Sequence, residues 1–382
     1  MLIGLVLLSP FQAQATIPDA QSYLTSKPNS PWATIALATL GAANIPTAHL
    51  TNINGTSAVE YEAPILAITA LGKDPRVFGG SDYVSKLKSF YTGGQIGDAT
   101  TLNDDFFGLL ALSSSGESNG DPAISGTRAF ILAKQNQNGG WGFTTSSAPD
   151  TNMTSVAVAA LIATGSSPTD TPITKAITFL KSTQNSDGGF PYDSASPSDS
   201  SSTAWAMWAF TAVGISPSSV SKDGKSPNSY LEKNQAPSGY YKYQESSSED
   251  TFSAITTSYA VIALSGRTLP TKTITAPQPS EKYTFRIEGK DETVCSGTVS
   301  AVTALDIVKN AKDQCGYSYT INETSFGPYL KKINDDEASG LIGWLYLVNS
   351  TSPDKGASDY QLKSGDSVVW YYGDLETYQT HT

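Results

Sequence analysis

Runs of small and apolar residues recur along the first two thirds of the chain, each closing on a glycine. They occupy 31–41, 61–72, 102–116, 151–165, 200–214 and 251–266. One of them contains Ser155-Val156-Ala157-Val158-Ala159-Ala160-Leu161. A helix that is apolar nearly all round has to be enclosed by other helices, and a glycine just past its end suits a left-handed cap. Between these runs lie helices with a single apolar face, predicted over 82–91, 124–135, 173–184 and 227–234. Ile173, Ala176, Ile177 and Leu180 share one side, with Lys175 and Lys181 on the other. Two more weakly written outer helices are expected over 19–26 and 45–51. Six enclosed helices alternating with six half-exposed ones predict an all-α α6/α6 toroid over residues 16–266, an inner ring of helices inside an outer ring.

The pattern then changes. Residues 267–280, with Pro270, Pro277, Pro279 and several Thr, read as an extended linker. Beyond it the period becomes two, as in Tyr283-Thr284-Phe285-Arg286-Ile287. One helix is predicted over 303–314 and further strands over 343–348 and 366–372. The chain therefore reads as multidomain, the toroid followed by a small α+β, β-grasp-like domain over 281–378.

At the amino end, residues 1–8 are almost wholly apolar and Ala13-Gln14-Ala15 follows shortly after. This predicts a secretory signal segment over 1–15 and a secreted or cell-surface protein. The run is too short to span a bilayer, and no later stretch is long enough either. In an oxidising compartment Cys295 and Cys315 are expected to form one disulfide. The chain has 24 basic and 35 acidic residues, a net charge of −11. Nucleic acid is excluded as a partner, because phosphate neutralisation needs a basic face. With 2 Cys and 2 His in 382 residues, Cys-rich zinc modules and His-rich metal centres are excluded as well, and no metal site is expected.

A loop motif precedes three of the enclosed helices. It reads Gln135-Asn136-Gln137-Asn138-Gly139-Gly140-Trp141-Gly142-Phe143, then Gln184-Asn185-Ser186-Asp187-Gly188-Gly189-Phe190, then a weaker Asn234-Gln235-Ala236-Pro237-Ser238-Gly239-Tyr240. It resembles the QW-type repeat of the squalene cyclase, protein prenyltransferase and transcobalamin superfamily. Near the carboxy end, Phe326-Gly327-Pro328-Tyr329-Leu330, Gly343-Trp344-Leu345-Tyr346 and Asp359-Tyr360 with Lys363-Ser364-Gly365-Asp366 occur in that order. They resemble the small β-rich domain of the intrinsic factor and transcobalamin family, the DUF4430 type. A toroid followed by this domain is the arrangement of cobalamin carriers. The resemblance implies a secreted, non-catalytic binding protein that holds a corrinoid between toroid mouth and second domain.

The superfamily's chemistries can be weighed against residues. Class II terpene cyclases use a D-x-D-D acid; here Leu102-Asn103-Asp104-Asp105 lacks the first Asp. The prenyltransferase zinc needs Asp, Cys and His, yet 16–280 holds no Cys and only His49. Thioester-bearing relatives also need a Cys there. The expectation is that the chain is not an enzyme and needs no cofactor, cobalamin entering as a ligand. Two alternatives stand beside it: an extracellular adhesion protein that binds other proteins, and a terpene-cyclase-like enzyme using Asp104 and Asp105.

In a toroid the enclosed helices run one way, so their starts meet at one mouth. Here those starts carry Asp104, Asp150 with Asn152, Asp199 and Asp250. Helix capping accounts for such residues. A ring of them also offers hydrogen-bond partners to the peripheral amides of a corrinoid. Trp141, Tyr192 and Tyr243 follow the glycine loops and are expected near the mouth, and Trp205, three residues from Trp208, in the lumen. Trp344 and Tyr346 on a strand of the second domain complete the candidate ligand contacts. Neither His49 nor His381 is placed to serve as an axial ligand.

Overall fold

The computed structural model describes residues 16–27, 29–275, 281–324 and 327–374; the expected signal segment over 1–15 lies outside them. The chain divides into two compact units, Met1–Ala276 and Pro277–Thr382.

The first unit is the toroid. Its enclosed helices are α2 (Pro31–Thr39), α3 (Val59–Ala70), α5 (Asn103–Ser114), α7 (Thr151–Ala163), α9 (Ser200–Ala212) and α11 (Ser253–Leu264). Each packs on the next, and α11 packs back on α2, which closes the ring. The outer helices are α1 (Ile17–Thr25), α4 (Tyr83–Lys88), α6 (Pro122–Ala133), α8 (Thr171–Thr183) and α10 (Pro227–Lys233). Where the sequence predicts an outer helix over 45–51, one 3-10 turn stands at Ala48–Leu50. Pro46, Thr47, His49 and Thr51 leave too few apolar positions there for a longer face. Two short hairpins, β1 (Tyr91–Thr92) with β2 (Gln95–Ile96) and β3 (Phe190–Pro191) with β4 (Ser198–Asp199), sit in the loops.

The loop motif is what fastens the rings together. Its Gln side chain donates back to the first glycine's carbonyl: Gln135 to Gly139 at 2.7 Å, Gln184 to Gly188 at 2.9 Å, Gln235 to Gly239 at 3.2 Å. The backbone N–H groups of Trp141, Phe190 and Tyr241 donate to hydroxyls of Thr154, Thr203 and Thr257 in the first turns of α7, α9 and α11, at 3.0, 2.9 and 3.0 Å. That first glycine has a positive φ and lies against the backbone of the following outer helix. Gly139 meets Lys175 of α8, Gly188 meets Ser226 before α10, and Gly239 meets Asp19 of α1. The last contact joins the final loop to the first helix of the chain. A side chain at these places would collide with a carbonyl within 2.3 to 2.7 Å, which is why glycine stands there.

Residues 267–275, expected to be linker, run across the carboxy-terminal ends of the enclosed helices. Leu269 is buried, the Ile274 N–H donates to the Ser114 carbonyl at 2.9 Å, and Lys272 reaches Gly72. This end of the ring is strapped; the mouth is at the other.

In the second unit β5 (Lys282–Glu288) and β6 (Thr293–Ser300) form a hairpin, followed by α12 (Ala304–Cys315). Strands β7 (Tyr319–Thr324), β8 (Gly327–Ile333) and β9 (Asp336–Glu337) make a three-stranded sheet. Then β10 (Gly343–Val348) and β11 (Ser367–Gly373) complete a four-stranded sheet in the order β10-β11-β5-β6, with β11 parallel to β5. A hairpin, a helix packed on it and a parallel central strand make the β-grasp-like arrangement. Thr303 and Asp306 form a capping box at the start of α12, and Cys295 on β6 is disulfide-bonded to Cys315 at its end.

Candidate functional site

The starts of the enclosed helices lie together. The Ser201 and Thr256 hydroxyls meet across α9 and α11 at 3.2 Å. The N–H groups of Leu102, Thr151 and Ser200 donate to the carbonyls of Phe143, Tyr192 and Tyr243 in the next repeat, at 2.9, 2.9 and 2.8 Å. Each helix start is thus stitched to the following glycine loop, and the rings of those loop residues are left nearly half exposed around the mouth.

Asp150 and Asp199 cap α7 and α9, and the exposed tyrosines sit on them. Asp150 accepts from the Met153 N–H at 2.8 Å and faces the Tyr192 hydroxyl at 3.5 Å. Burial pushes its carboxyl up to about 6, against the pull of the Met153 and Asn152 N–H groups. Asp199 accepts from the Ser202 N–H and hydroxyl, both at 2.7 Å. It too is raised by burial, and Tyr243 bonds to it. Asp250 is exposed and accepts from the Phe252 N–H and the Ser253 hydroxyl. Asp104 is half buried against Gly97 and takes the Asp98 N–H at 3.3 Å. The Asn152 carbonyl oxygen is buried without a hydrogen bond.

Below the rim the lumen is filled. Trp32, Phe107, Trp205, Trp208 and Tyr259 come from α2, α5, α9 and α11 and form one cluster, with centroids 5.0 to 6.4 Å apart. Rings from α5 and α9, which are not neighbours, meet only across the interior. Trp205 and Trp208 are stacked, and both indole N–H groups are buried without a hydrogen-bond partner among the described residues.

Trp141 does not line this mouth, and Trp344 and Tyr346 are engaged within the second unit. Trp141 is fully buried, its ring N–H bonded to the Ile131 carbonyl at 2.8 Å; it pins the loop to α6 and has no face for a ligand. Trp344 is buried in the second unit's core and donates to the Asp336 carbonyl at 2.9 Å. The Tyr346 ring stacks on Trp370 and its hydroxyl donates to the Lys355 carbonyl. In each case the aromatic ring found internal partners that alternation along a strand or proximity to a loop does not reveal.

Sequence reasoning missed Glu62. In the first turn of α3 it lies beside Asp104 and Asp105 of α5, 2 % exposed, with Oε1 unbonded. Asp105 is fully buried, accepts the Ile96 N–H at 2.9 Å and leaves Oδ2 unbonded. Burial pushes the Glu62 carboxyl well above its usual range, and the neighbouring carboxylates add to this. Burial likewise raises Asp105 to about 8 against the pull of the Ile96 N–H, with Asp104 adding to the rise. Both shifts favour the protonated, uncharged form. An acid early in an otherwise apolar helix was the available signal.

Residues 83–265 match the prenyltransferase alpha-alpha toroid domain, and residues 301–374 match a domain of unknown function, DUF4430. No curated protein matches the chain. Among solved structures, Candida albicans protein geranylgeranyltransferase-I complexed with GGPP is 14% identical, with a TM-score of 0.51, over 69% of this chain and 96% of its own. Haptocorrin in complex with Cbi is 13% identical, with a TM-score of 0.39, over 94% of this chain and 96% of its own. The type II terpene cyclase MstE from Scytonema is 13% identical, with a TM-score of 0.46, over 65% and 96%. The expectation that the chain is not an enzyme is corrected by the prenyltransferase match and the shared toroid fold. Two buried acids, Glu62 and Asp105, lie in the first turns of α3 and α5, and burial favours the protonated form of each.

Proposed function

Because the chain joins a prenyltransferase alpha-alpha toroid domain to a DUF4430 domain, we propose that it binds a small molecule at the toroid mouth, outside the cell, and that this molecule is a corrinoid. The observation that carries the reading is the filled lumen directly beneath a polar rim. A ligand meeting the mouth finds a floor of aromatic rings, Trp32, Phe107, Trp205 and Tyr259, where a narrow apolar chain would need an open bore. A broad planar macrocycle stacks on such a floor. Its amide arms fit the carboxylates and the Asn152 carbonyl oxygen around the rim, and Tyr192 and Tyr243 flank it. The disulfide between Cys295 and Cys315 suits an oxidising compartment, and the order of the two domains resembles that of cobalamin carriers.

Titration of the full chain with cyanocobalamin, followed by corrin absorption and by heat, tests this. Saturation well below ~1 mM, weakened at least about tenfold in the Tyr192→Ala, Tyr243→Ala double variant, is the expected result. A dissociation constant above ~1 mM, leaving about 4 kcal/mol of binding, dismisses it.

One observation favours a second reading. Burial of Glu62 and Asp105 favours their protonated forms, and such an acid is suited to donating a proton to an alkene, as a terpene-cyclase-like enzyme requires. Products from a panel of polyprenes that vanish in Asp105→Asn support it. An unchanged product set in that variant, or no turnover by the wild type, removes it.

A further inference from the structure

A strand at the edge of a sheet has one row of N–H and C=O groups unpaired and is a template for another strand, so folded proteins guard such edges. The two edges of the second unit's four-stranded sheet are treated differently. At one, β10 lies beside β8, its Val348 N–H donates to the Thr351 carbonyl at 2.9 Å, and Trp344 bonds to the Asp336 carbonyl. At the other stands β6, which carries no charged residue and no proline. Its one irregularity is at the Thr293 end, and Cys295–Ser300 pairs regularly with β5.

This edge is fixed from behind and open in front. Cys295 is buried and disulfide-bonded to Cys315 of α12, and the Asn310 amide of the same helix donates to the Ser300 carbonyl at 2.9 Å. Ser296 and Thr298 alternate with Cys295 and so face the other way; both are exposed. A groove of about 680 Å³ lies along them, walled by Thr284 and Val369 on one side and reaching Gln314 on the other.

The strand is complementary to itself. Antiparallel addition of a second β6 to the same sheet has to oppose residues of the same face. A two-fold axis at Gly297 does this. Ser296 then stands opposite Thr298 of the second copy, twice, and Cys295 opposite its Val299. Opposed Ser and Thr hydroxyls suit a cross-strand pair, no like charges meet, and Gly297 places no side chain on the axis. The Gln314 amide lies against Gly297, is exposed and has no hydrogen bond among the described residues. An amide both donates and accepts, so two copies of Gln314 beside one axis match each other. A foreign strand could add backbone bonds here, but a second copy brings the matching hydroxyls and amide to the same axis.

We propose that β6 is a homodimer interface, at which two copies of this chain join edge to edge, antiparallel about Gly297, into one continuous sheet. This goes beyond the ligand reading and does not depend on it. The pairing makes about four to six backbone hydrogen bonds over a small area, so the dimer is a weak one, with a dissociation constant of about 10–300 µM.

Sedimentation equilibrium of the full chain from ~5 to ~500 µM tests this by mass. The wild type is expected to pass from one chain to two. Ser296→Lys combined with Thr298→Lys sets lysine against lysine on both sides of the axis and is expected to weaken the dimer at least about tenfold. Ser296→Glu combined with Thr298→Lys sets glutamate against lysine in the same register and is expected to restore it. The substituted side chains lie on an exposed face, so both variants are expected to keep the melting temperature and the cyanocobalamin titration of the wild type; failure of the dimer is thereby read separately from failure of the corrinoid reading. A wild type that stays monomeric at ~500 µM, or that grows beyond two chains, overturns the proposal. A dimer indifferent to the lysine pair overturns it as well, as does a folded glutamate–lysine variant that stays monomeric.

Discussion

Replacing Asp105 with Asn raises the unfolding free energy at pH 8 by about 2–4 kcal/mol and leaves it nearly unchanged at pH 4. The sign follows from proton binding. Unfolded, Asp105 titrates near 3.8; folded, burial lifts it to about 8. Between those values the native state holds a proton that the unfolded state has released, so stability falls as pH rises through the window and levels off above it. Below the window both states are protonated and nothing is lost. Asn keeps the acceptor for the Ile96 N–H and has no proton to lose. Urea denaturation of wild type and variant from pH 4 to pH 9 measures the difference. A wild type whose stability is flat across that range would show that Asp105 is ionised in the fold. Glu62→Gln is expected to act in the same direction, since Glu62 is raised by burial and by the same carboxylates. The two variants are not expected to add, because Glu62 and Asp105 are neighbours whose titrations are coupled.

Trp208→Ala costs about 3–5 kcal/mol of stability, the range for emptying a large aromatic site in a core. Trp208 is fully buried and touches Trp32, Trp205 and Tyr259. Those partners come from α9 itself and from α11 and α2 next to it in the ring, and Tyr259 packs edge-on against both Trp32 and Trp205, so collapse into the hole is limited. The variant should therefore keep its fold and gain an apolar cavity in the lumen. A rise in its melting temperature with benzene, absent in the wild type, reports the cavity. A loss below 1 kcal/mol would mean that the lumen repacks freely and that the aromatic floor is soft.

Much of the toroid is legible in the sequence because its signals are local. All six enclosed helices fall within a few residues of the glycine-terminated runs, since an all-apolar helix has no alternative to enclosure. The pairing of Cys295 with Cys315 follows from their being the chain's two cysteines; in the second unit the helix and three of the strands are legible, while β6 to β9 are not. The acids at Asp150 and Asp199 are readable as caps from their place just before a helix. What the sequence hides is the fate of groups that meet across the ring. Trp205 and Trp208 are visible as a pair, but Phe107 and Tyr259 reach them from other helices, separated by long stretches of chain. Glu62 sits unremarked within the run over 61–72, and only the fold brings Asp105 of α5 beside it. Trp141 and Trp344 mislead for the opposite reason: each finds a backbone carbonyl for its ring N–H, and that bond turns a candidate contact into a structural pin. The strap over 267–275 is written in linker composition, and only the Leu269 burial and the Ile274 bond assign it to the ring.

The contact of Gly239 with Asp19, and of the Tyr23 hydroxyl with Glu249 at 2.9 Å, has a consequence for biogenesis. The seam that completes the circle joins residues more than two hundred positions apart. A ribosome that has delivered five repeats leaves an arc whose two ends, α2 and α9, have no neighbour. Each presents an apolar side wide enough to attract another such arc. Synthesis must therefore run past α11 before those sides are satisfied within one chain, so truncations that remove the last repeat should surface as aggregates in the insoluble fraction, and slowed translation just upstream of α11 should aggravate the same outcome.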